Sequence, residues 1–305
     1  MQVVVLMILV LLGVIVAKTK IIGDMGIKNI TDLVLTFVTP CVIIKSFIRE
    51  FDVAVLKNLL FSFLIAILAH VLFIVLGFVF VHSKDKVAER VLRFGIIFSN
   101  CGFMSLPLQQ ALLGDEGVFY CSSYITIFQI FIWTYGVFLM SGDKKNLTAK
   151  KIVLNPGIIA FLIGFIIFVL SIPVPSVIKQ PIEYMAALNT PLPMIIIGYH
   201  LASSNVMRVF RSFTSVLSIL LRLLILPFIA VGIMYLCGIR GAILVSSGIS
   251  FCAPVGAMAT MFASRFNADT ELSVSFVSVT TLLSVITMPI IIALTQYIAC
   301  GRLWL

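Results

Sequence analysis

Apolar runs of about 17 to 25 residues follow one another down the whole chain, and each is long enough to cross about 30 Å of hydrocarbon as a helix. Only 11% of the 305 residues are charged and the mean hydropathy is +1.21, against roughly 25% charged for a soluble domain. These features describe an all-α polytopic membrane protein with the lipid bilayer as its surroundings. Ten spans are expected, at about 2–17, 33–48, 56–81, 92–113, 119–140, 153–171, 184–202, 211–236, 241–263 and 272–299. The net charge of +9 is scattered through short loops, so no nucleic acid is expected as a partner. In such a protein an excess of basic residues reports topology.

Counting Lys and Arg by loop makes the topology explicit. The odd-numbered loops hold fourteen, from Lys18 to Arg265, whereas the even loops and the termini hold five: Arg49, Lys57, Lys179, Arg240 and Arg302. The positive-inside rule therefore puts the odd loops in the cytoplasm of a multi-pass cell-membrane protein and both termini outside. Asn29-Ile-Thr31 and Asn146-Leu-Thr148 match a glycosylation sequon but fall in loops assigned to the cytoplasm. Met1 to Ala17 resembles a signal-peptide core, yet it lacks preceding basic residues and a small-residue cleavage site, so it reads as a retained first span. The six cysteines lie in or beside apolar spans without metal-like spacing and read as small buried hydrophobes. No cofactor and no metal site is expected.

Sliding the chain against itself by 153 residues brings Pro40 onto Pro193, Gly95 onto Gly248, Ser122 onto Ser275 and Thr134 onto Thr287. One constant offset keeps five spans of each half in register, with halves at 1–152 and 153–305. An odd number of spans per half makes the halves cross in opposite directions, an inverted repeat of the kind common in secondary transporters.

The fourth span contains "FSNCGFMSLPLQQ", residues 98–110, and its mate in the ninth contains "FCAPVGAMA", residues 251–259. Asn100 maps to Ala253 and Cys101 to Pro254. Pro and Gly in both stretches predict that each helix splits into two half-helices. Unwound backbone at membrane depth survives only where protein buries it or water reaches it, so the two breaks are expected to cross at mid-membrane. Half-helix N-termini there offer free N–H groups and positive partial charge, a setting suited to a carboxylate. Taken singly, Pro107 and Pro254 fit simple kinks; their near-equivalent placement in two halves favours a site.

Four stretches resemble the auxin efflux carrier family of membrane transporters, which includes bacterial carboxylate carriers and plant auxin exporters. They are "TPCVIIKSF" (39–47), "SNCGFMSLPL" (99–108), "LNPGIIAFLIGF" (154–165) and "APVGAMATMFASRFNADTELS" (253–273). The resemblance implies a crossover fold in which spans 1, 2, 6 and 7 form a scaffold. Spans 3 to 5 and 8 to 10 would form a transport domain that carries substrate in an elevator-like movement. It also implies small organic anions as substrate (malate, malonate or auxin-like acids), a homodimer through the scaffold, and crossover roles for Asn100, Pro107 and Pro254. The short linker "SGDKKNLTAKK" (141–151) departs from the long loop of plant members and favours a bacterial-type carrier.

Substrate is thus expected at Asn100, Cys101, Gly102, Pro107, Gln109 and Tyr124 in the first half, and at Ala253, Pro254 and Val255 in the second. For Gln109 and Tyr124 the competing reading is helix-to-helix hydrogen bonding. Arg222, deep in the eighth span, is either a counter-charge for the anion or a residue bonded to freed carbonyls. His70, one residue from the repeat mate of Arg222, is either a coupling group titrating near neutral pH or a structural histidine. Lys45 is read as snorkelling to the outer interface, and Tyr199 and His200 as anchors ending span seven. No Asp or Glu lies deep in any assigned span, which disfavours an intramembrane acid relay and weakens a likeness to bile acid:sodium symporters. The coupling ion, H+ or Na+, stays open. Two alternatives to a carrier of this kind stand beside it: a sodium-coupled symporter of bile-acid-symporter type, and a receptor that binds an anion without moving it. An enzyme would need a nucleophile with a base, a metal cluster or paired acids in the bilayer, and the sequence offers none.

Overall fold

Capping, proline and glycine set the helix boundaries in the computed structural model, which describes residues 2–143, 153–202 and 206–300. The linker between the halves, with Asn146-Leu-Thr148 and the proposed boundary at 152/153, lies outside the described residues, as does Arg302. Helix α1 is Gln2–Thr19. Helices α2 (Asp24–Leu33) and α3 (Thr39–Phe47) are joined into one rod by a π-type turn at Val34–Val38. The rod starts well before the expected residue 33, because α2 is amphipathic: Ile27 is buried while Asp24, Lys28 and Asp32 are exposed. Hydropathy alone conceals such a turn.

Helix α4 (Val53–Phe80) has 28 residues, about 42 Å of rise. Asp52 caps it by accepting from Ala54 N at 2.6 Å and Val55 N at 3.1 Å. It is apolar all round, with Leu60, Leu64 and Leu68 facing outward and Ile65, Ala69 and Phe73 packed inward, as a lipid-facing helix requires. Helix α5 (Lys86–Ile97) is capped by Asp85. Its early start places an acidic residue in the first turn of this helix. Glu89, 6% exposed, accepts from Lys86 at 3.0 Å and from Arg93 at 3.1 Å.

The chain leaves the helix at Phe98–Asn100, passes through a π-type turn at Cys101–Ser105 and continues as α6 (Leu106–Phe131). Inside α6, Gly114 has φ +61°, a left-handed conformation available to glycine, and the rod bends there. Another π-type turn, Ile132–Gly136, leads to α7 (Val137–Ser141). Then follow α8 (Pro156–Val169, capped by Asn155), α9 (Ser176–Ala187) and α10 (Pro191–Ala202). A 3-10 turn at Arg208–Arg211 precedes α11 (Phe213–Leu220), a π-type turn at Leu221–Ile225 and α12 (Leu226–Leu236). Helix α13 (Gly241–Cys252) is separated by an unwound stretch from α14 (Met258–Arg265), and α15 (Thr270–Cys300) ends the described chain.

Three of the π-type turns stand two residues before a proline, at Pro40, Pro107 and Pro227. Proline lacks an N–H and its ring crowds the carbonyl four residues back. Widening the preceding turn removes that conflict without ending the helix.

Helix α1 packs along α10, α3 lies against α8 and α9, and α6 lies against α4 and α13. Helix α13 also packs on α12 and α15. The α1–α10 contact is a close approach of two backbones: a β-carbon on Gly198 would collide with Val10 O, and one on Gly13 with Ile195 O. Among the described residues, six helices are long and apolar enough to cross a membrane, and three more, Val5–Thr19, Pro156–Val169 and Gly241–Cys252, are shorter and apolar. The protein is an all-helical membrane protein.

Candidate functional site

The two unwound stretches meet. Ser99 and Val255 pair in an antiparallel bridge, with Asn100 N donating to Pro254 O at 2.8 Å and Gly256 N donating to Phe98 O at 3.0 Å. A β-carbon on Gly256 would come within 3.0 Å of Ser99 O, so glycine permits the approach. Val255 N donates to Thr280 Oγ1 at 3.3 Å on α15. Each break thus satisfies backbone groups of the other, which is how unwound chain becomes tolerable in a lipid setting.

Beyond the crossing, both chains re-enter helices. Asn100 O accepts from Met104 N at 3.0 Å. Among the described residues, the amides of Gly102 and Phe103, and of Ala257 and Met258, have no backbone acceptor, as the first turn of a helix requires. Pro107 corrects the expectation that it forms the break. The chain unwinds at Phe98–Asn100, and Pro107 sits buried within continuous helix, two residues after the π-type turn that accommodates its missing N–H. Pro254, by contrast, stands within its break.

A cavity of about 450 Å³ lies against this crossing. Asn100 and Phe103 line it from one broken helix, and Ala257, Thr260 and Met261 from the other. Thr31 of α2, His200 of α10, and Ser278 and Thr281 of α15 supply further polar groups, with Ile196, Ile197, Val274 and Val277 as apolar wall. Among the described residues the lining contains no Lys, Arg, Asp or Glu. The Asn100 carboxamide has no protein partner among the described residues, although the residue is 7% exposed. It is therefore placed to bond to whatever enters.

The other expected residues distribute as follows. Gly102 has open space where a side chain would stand, and Cys101, Ala253 and Val255 are buried in the crossing itself. Gln109 is turned away from the cavity and donates to Ser246 O at 2.8 Å and Ser250 Oγ at 3.1 Å, tying α6 to α13. Tyr124 lies behind the crossing, with its hydroxyl 3.4 Å from Ser99 Oγ. His70 is fully buried there too. Its Nδ1 donates to Ala66 O at 2.8 Å, and its ring centroid stands 4.9 Å from Tyr124 and 5.0 Å from Phe131.

Arg222, in the π-type turn of the eighth span, is also fully buried. Nε donates to Ala253 O at 2.9 Å, Nη1 to Ile96 O at 3.0 Å, and Nη2 to Phe251 O at 2.8 Å and Ala253 O at 2.6 Å. The guanidinium bonds to freed carbonyls of both broken helices and does not line the cavity. Lys45, expected to reach the outer interface, pairs through Nζ with the partly exposed Asp115 at 3.2 Å. Tyr199 donates to Asp24 Oδ1 at 2.8 Å, whereas its neighbour His200 faces the cavity.

Sequence reasoning missed Thr31, His200, Thr260, Ser278 and Thr281. The spacing of Ser278 and Thr281 puts both hydroxyls on one face of a helix, a signal available in advance. Thr31 was concealed because its helix reads as a loop.

An all-helical membrane protein with two broken helices crossing beside a cavity falls in the class of membrane transporters. The chain belongs to the auxin efflux carrier family: the family described as "Membrane transport protein" matches residues 1–151 and 145–292. An uncharacterized transporter of Methanothermobacter thermautotrophicus is 24% identical over 288 residues, covering 93% of this chain and 94% of that protein. An uncharacterized transporter of Methanocaldococcus jannaschii is 24% identical over 201 residues, covering 62% of this chain and 63% of that protein.

Proposed function

We propose that the protein is a secondary active transporter of small organic anions, mono- or dicarboxylates such as malate or malonate or auxin-like acids, working by elevator-type alternating access. One observation carries this reading above the rest: two half-helices begin beside one cavity, whose wall includes Phe103 and Ala257 from their starts and the unpartnered Asn100 carboxamide. Helix N-termini carry positive partial charge, so a carboxylate gains there without any fixed cation.

In this reading the chain crosses the membrane ten times as two inverted five-helix repeats, 1–152 and 153–305. Helices α1–α3 and α8–α10 form the scaffold, and α4–α7 and α11–α15 the transport domain. With the odd loops in the cytoplasm and the termini outside, Thr31, His200, Thr260 and Val274 of the lining lie toward cytoplasmic loops. The cavity then opens inward. On the outer side Phe47 and Phe119 pack with ring centroids 4.7 Å apart near the Lys45–Asp115 pair, and in this reading these contacts close the far side. A homodimer through the scaffold completes the proposal.

The test is uptake of labelled malate and malonate into proteoliposomes. Asn100→Ala removes the one side chain from the crossing that faces the cavity unpaired. Losing a hydrogen bond to a charged group costs about 1.5–3 kcal/mol, or on the order of ten- to a hundredfold in uptake. Uptake at the wild-type rate by a correctly inserted Asn100→Ala variant would remove the site from this crossing. Saturable binding without any counterflow of labelled anion would make the protein a receptor instead.

A further inference from the structure

The face of the crossing opposite the cavity is built around Arg222. Helices α5 and α13 both end here, and the C-terminal carbonyls of each, Ile96 O on one and Phe251 O and Ala253 O on the other, converge on a single guanidinium at 2.6 to 3.0 Å. Nothing acidic pairs with it: no ion pair among the described residues includes Arg222. The Phe73 ring stands 5.8 Å from its central carbon. A buried charge without partners is among the costliest features a fold can hold, so the compensation has to be identified. Each helix C-terminus carries about −0.5 of an elementary charge. Two such ends amount to about −1 and match one guanidinium.

Three further carbonyls of the crossing are engaged by backbone amides. Phe98 O accepts from Gly256 N, Pro254 O from Asn100 N, and Asn100 O from Met104 N. A bound alkali cation needs several oxygens turned toward one point. Helices broken in mid-span create such a cluster, and here the three oxygens that converge on one point, Ile96 O, Phe251 O and Ala253 O, already hold the Arg222 guanidinium.

We infer that Arg222 is a tethered cation: its guanidinium permanently occupies the carbonyl cage that the two broken helices form, in the place a dissociable Na+ would need, and so holds the crossing together without a coupling ion. By neutralising the negative ends of α5 and α13, it leaves the positive ends of the following half-helices as the unbalanced charge at the cavity wall. That last consequence rests on the anion-carrier reading; the filled cage does not. Arg222 is a positioning residue, since it touches the crossing and not the cavity.

The experiment measures thermal unfolding of the purified full chain in detergent with no anion substrate present, in NaCl, KCl and choline chloride. Wild type should melt at the same temperature in all three. Arg222→Ala empties the cage and should melt lower, and millimolar guanidinium chloride should restore much of the loss, with Na+ restoring less and choline nothing. Arg222→Lys keeps a cation on a tether, and should fold and melt between wild type and Arg222→Ala. Should Arg222→Ala fail to fold, the comparison moves to Arg222→Lys against Arg222→Met. Equal melting of those two, no recovery of Arg222→Ala by any cation, or a wild type that needs Na+ for its stability would each overturn the inference. Because no transport is measured, these outcomes are separate from the fate of the Asn100 uptake test.

Discussion

Two carboxamides, Asn100 and Gln109, flank the same break, and in the sequence they look alike. What separates them is the direction in which each helix face turns. Asn100 reaches the cavity, whereas Gln109 is fully buried between α6 and α13, with Ser246 O and Ser250 Oγ as its acceptors. Helix-to-helix hydrogen bonds between membrane helices contribute about 0.6 kcal/mol on average. Gln109→Leu should therefore lower stability by about 1 kcal/mol or less, read from a detergent melt, and leave anion uptake at the wild-type level. Loss of uptake with an unchanged melt would return Gln109 to the substrate. The same rotation problem hid His200, and the partner of Arg222 was illegible for a related reason. Backbone carbonyls carry no sequence signature, so a guanidinium that binds only carbonyls cannot be told from one awaiting a ligand.

At the scale of elements, the unwound stretches were legible because Asn, Gly and Pro interrupt otherwise apolar runs, and their meeting followed from the constant offset between halves. The π-type turns were not, because each keeps the helix going and alters only its hydrogen-bond register. Nor was the partner of α1, since a leucine- and valine-rich helix presents the same surface to lipid and to protein. Its contact with α10 depends on Gly13 and Gly198, where small residues let two backbones touch. Gly198→Ala puts a methyl group into Val10 O and the Gly13 backbone, neither of which can rotate away. The expected cost is about 1–3 kcal/mol, seen as a lowered melting temperature. Gly232→Ala is the control: nothing lies within 4 Å of the added carbon, so its melt should be equal or higher. If both substitutions behaved alike, the close approach of α1 and α10 would not be a source of stability.

For the whole molecule, the proposed alternating access requires that contacts on the outer side be breakable, and a partly exposed ion pair among them meets that requirement. Lys45 on α3 meets Asp115 just after the bend at Gly114 in α6, and these side chains are 26% and 44% exposed. An ion pair so open to solvent contributes about 0.2–1 kcal/mol, enough to bias two states of similar energy without locking either. Beside it Arg49 stands 4.7 Å above the Phe119 ring, and Phe119 lies 5.4 Å from Phe168 on α8. In the elevator reading all of these join scaffold to transport domain, and all must part when the cavity turns outward. Asp115→Asn should then leave the melt almost unchanged but raise the outward-facing population. A cysteine at Thr260, on the cavity wall, reports that population in a chain whose six native cysteines have been replaced. An impermeant maleimide added from outside should label Thr260→Cys faster with Asp115→Asn than without it, and the reversed pair Lys45→Asp with Asp115→Lys should restore slow labelling. Identical external labelling in all three backgrounds would mean that the pair does not bridge two moving bodies, and the division into scaffold and transport domain would have to be drawn elsewhere.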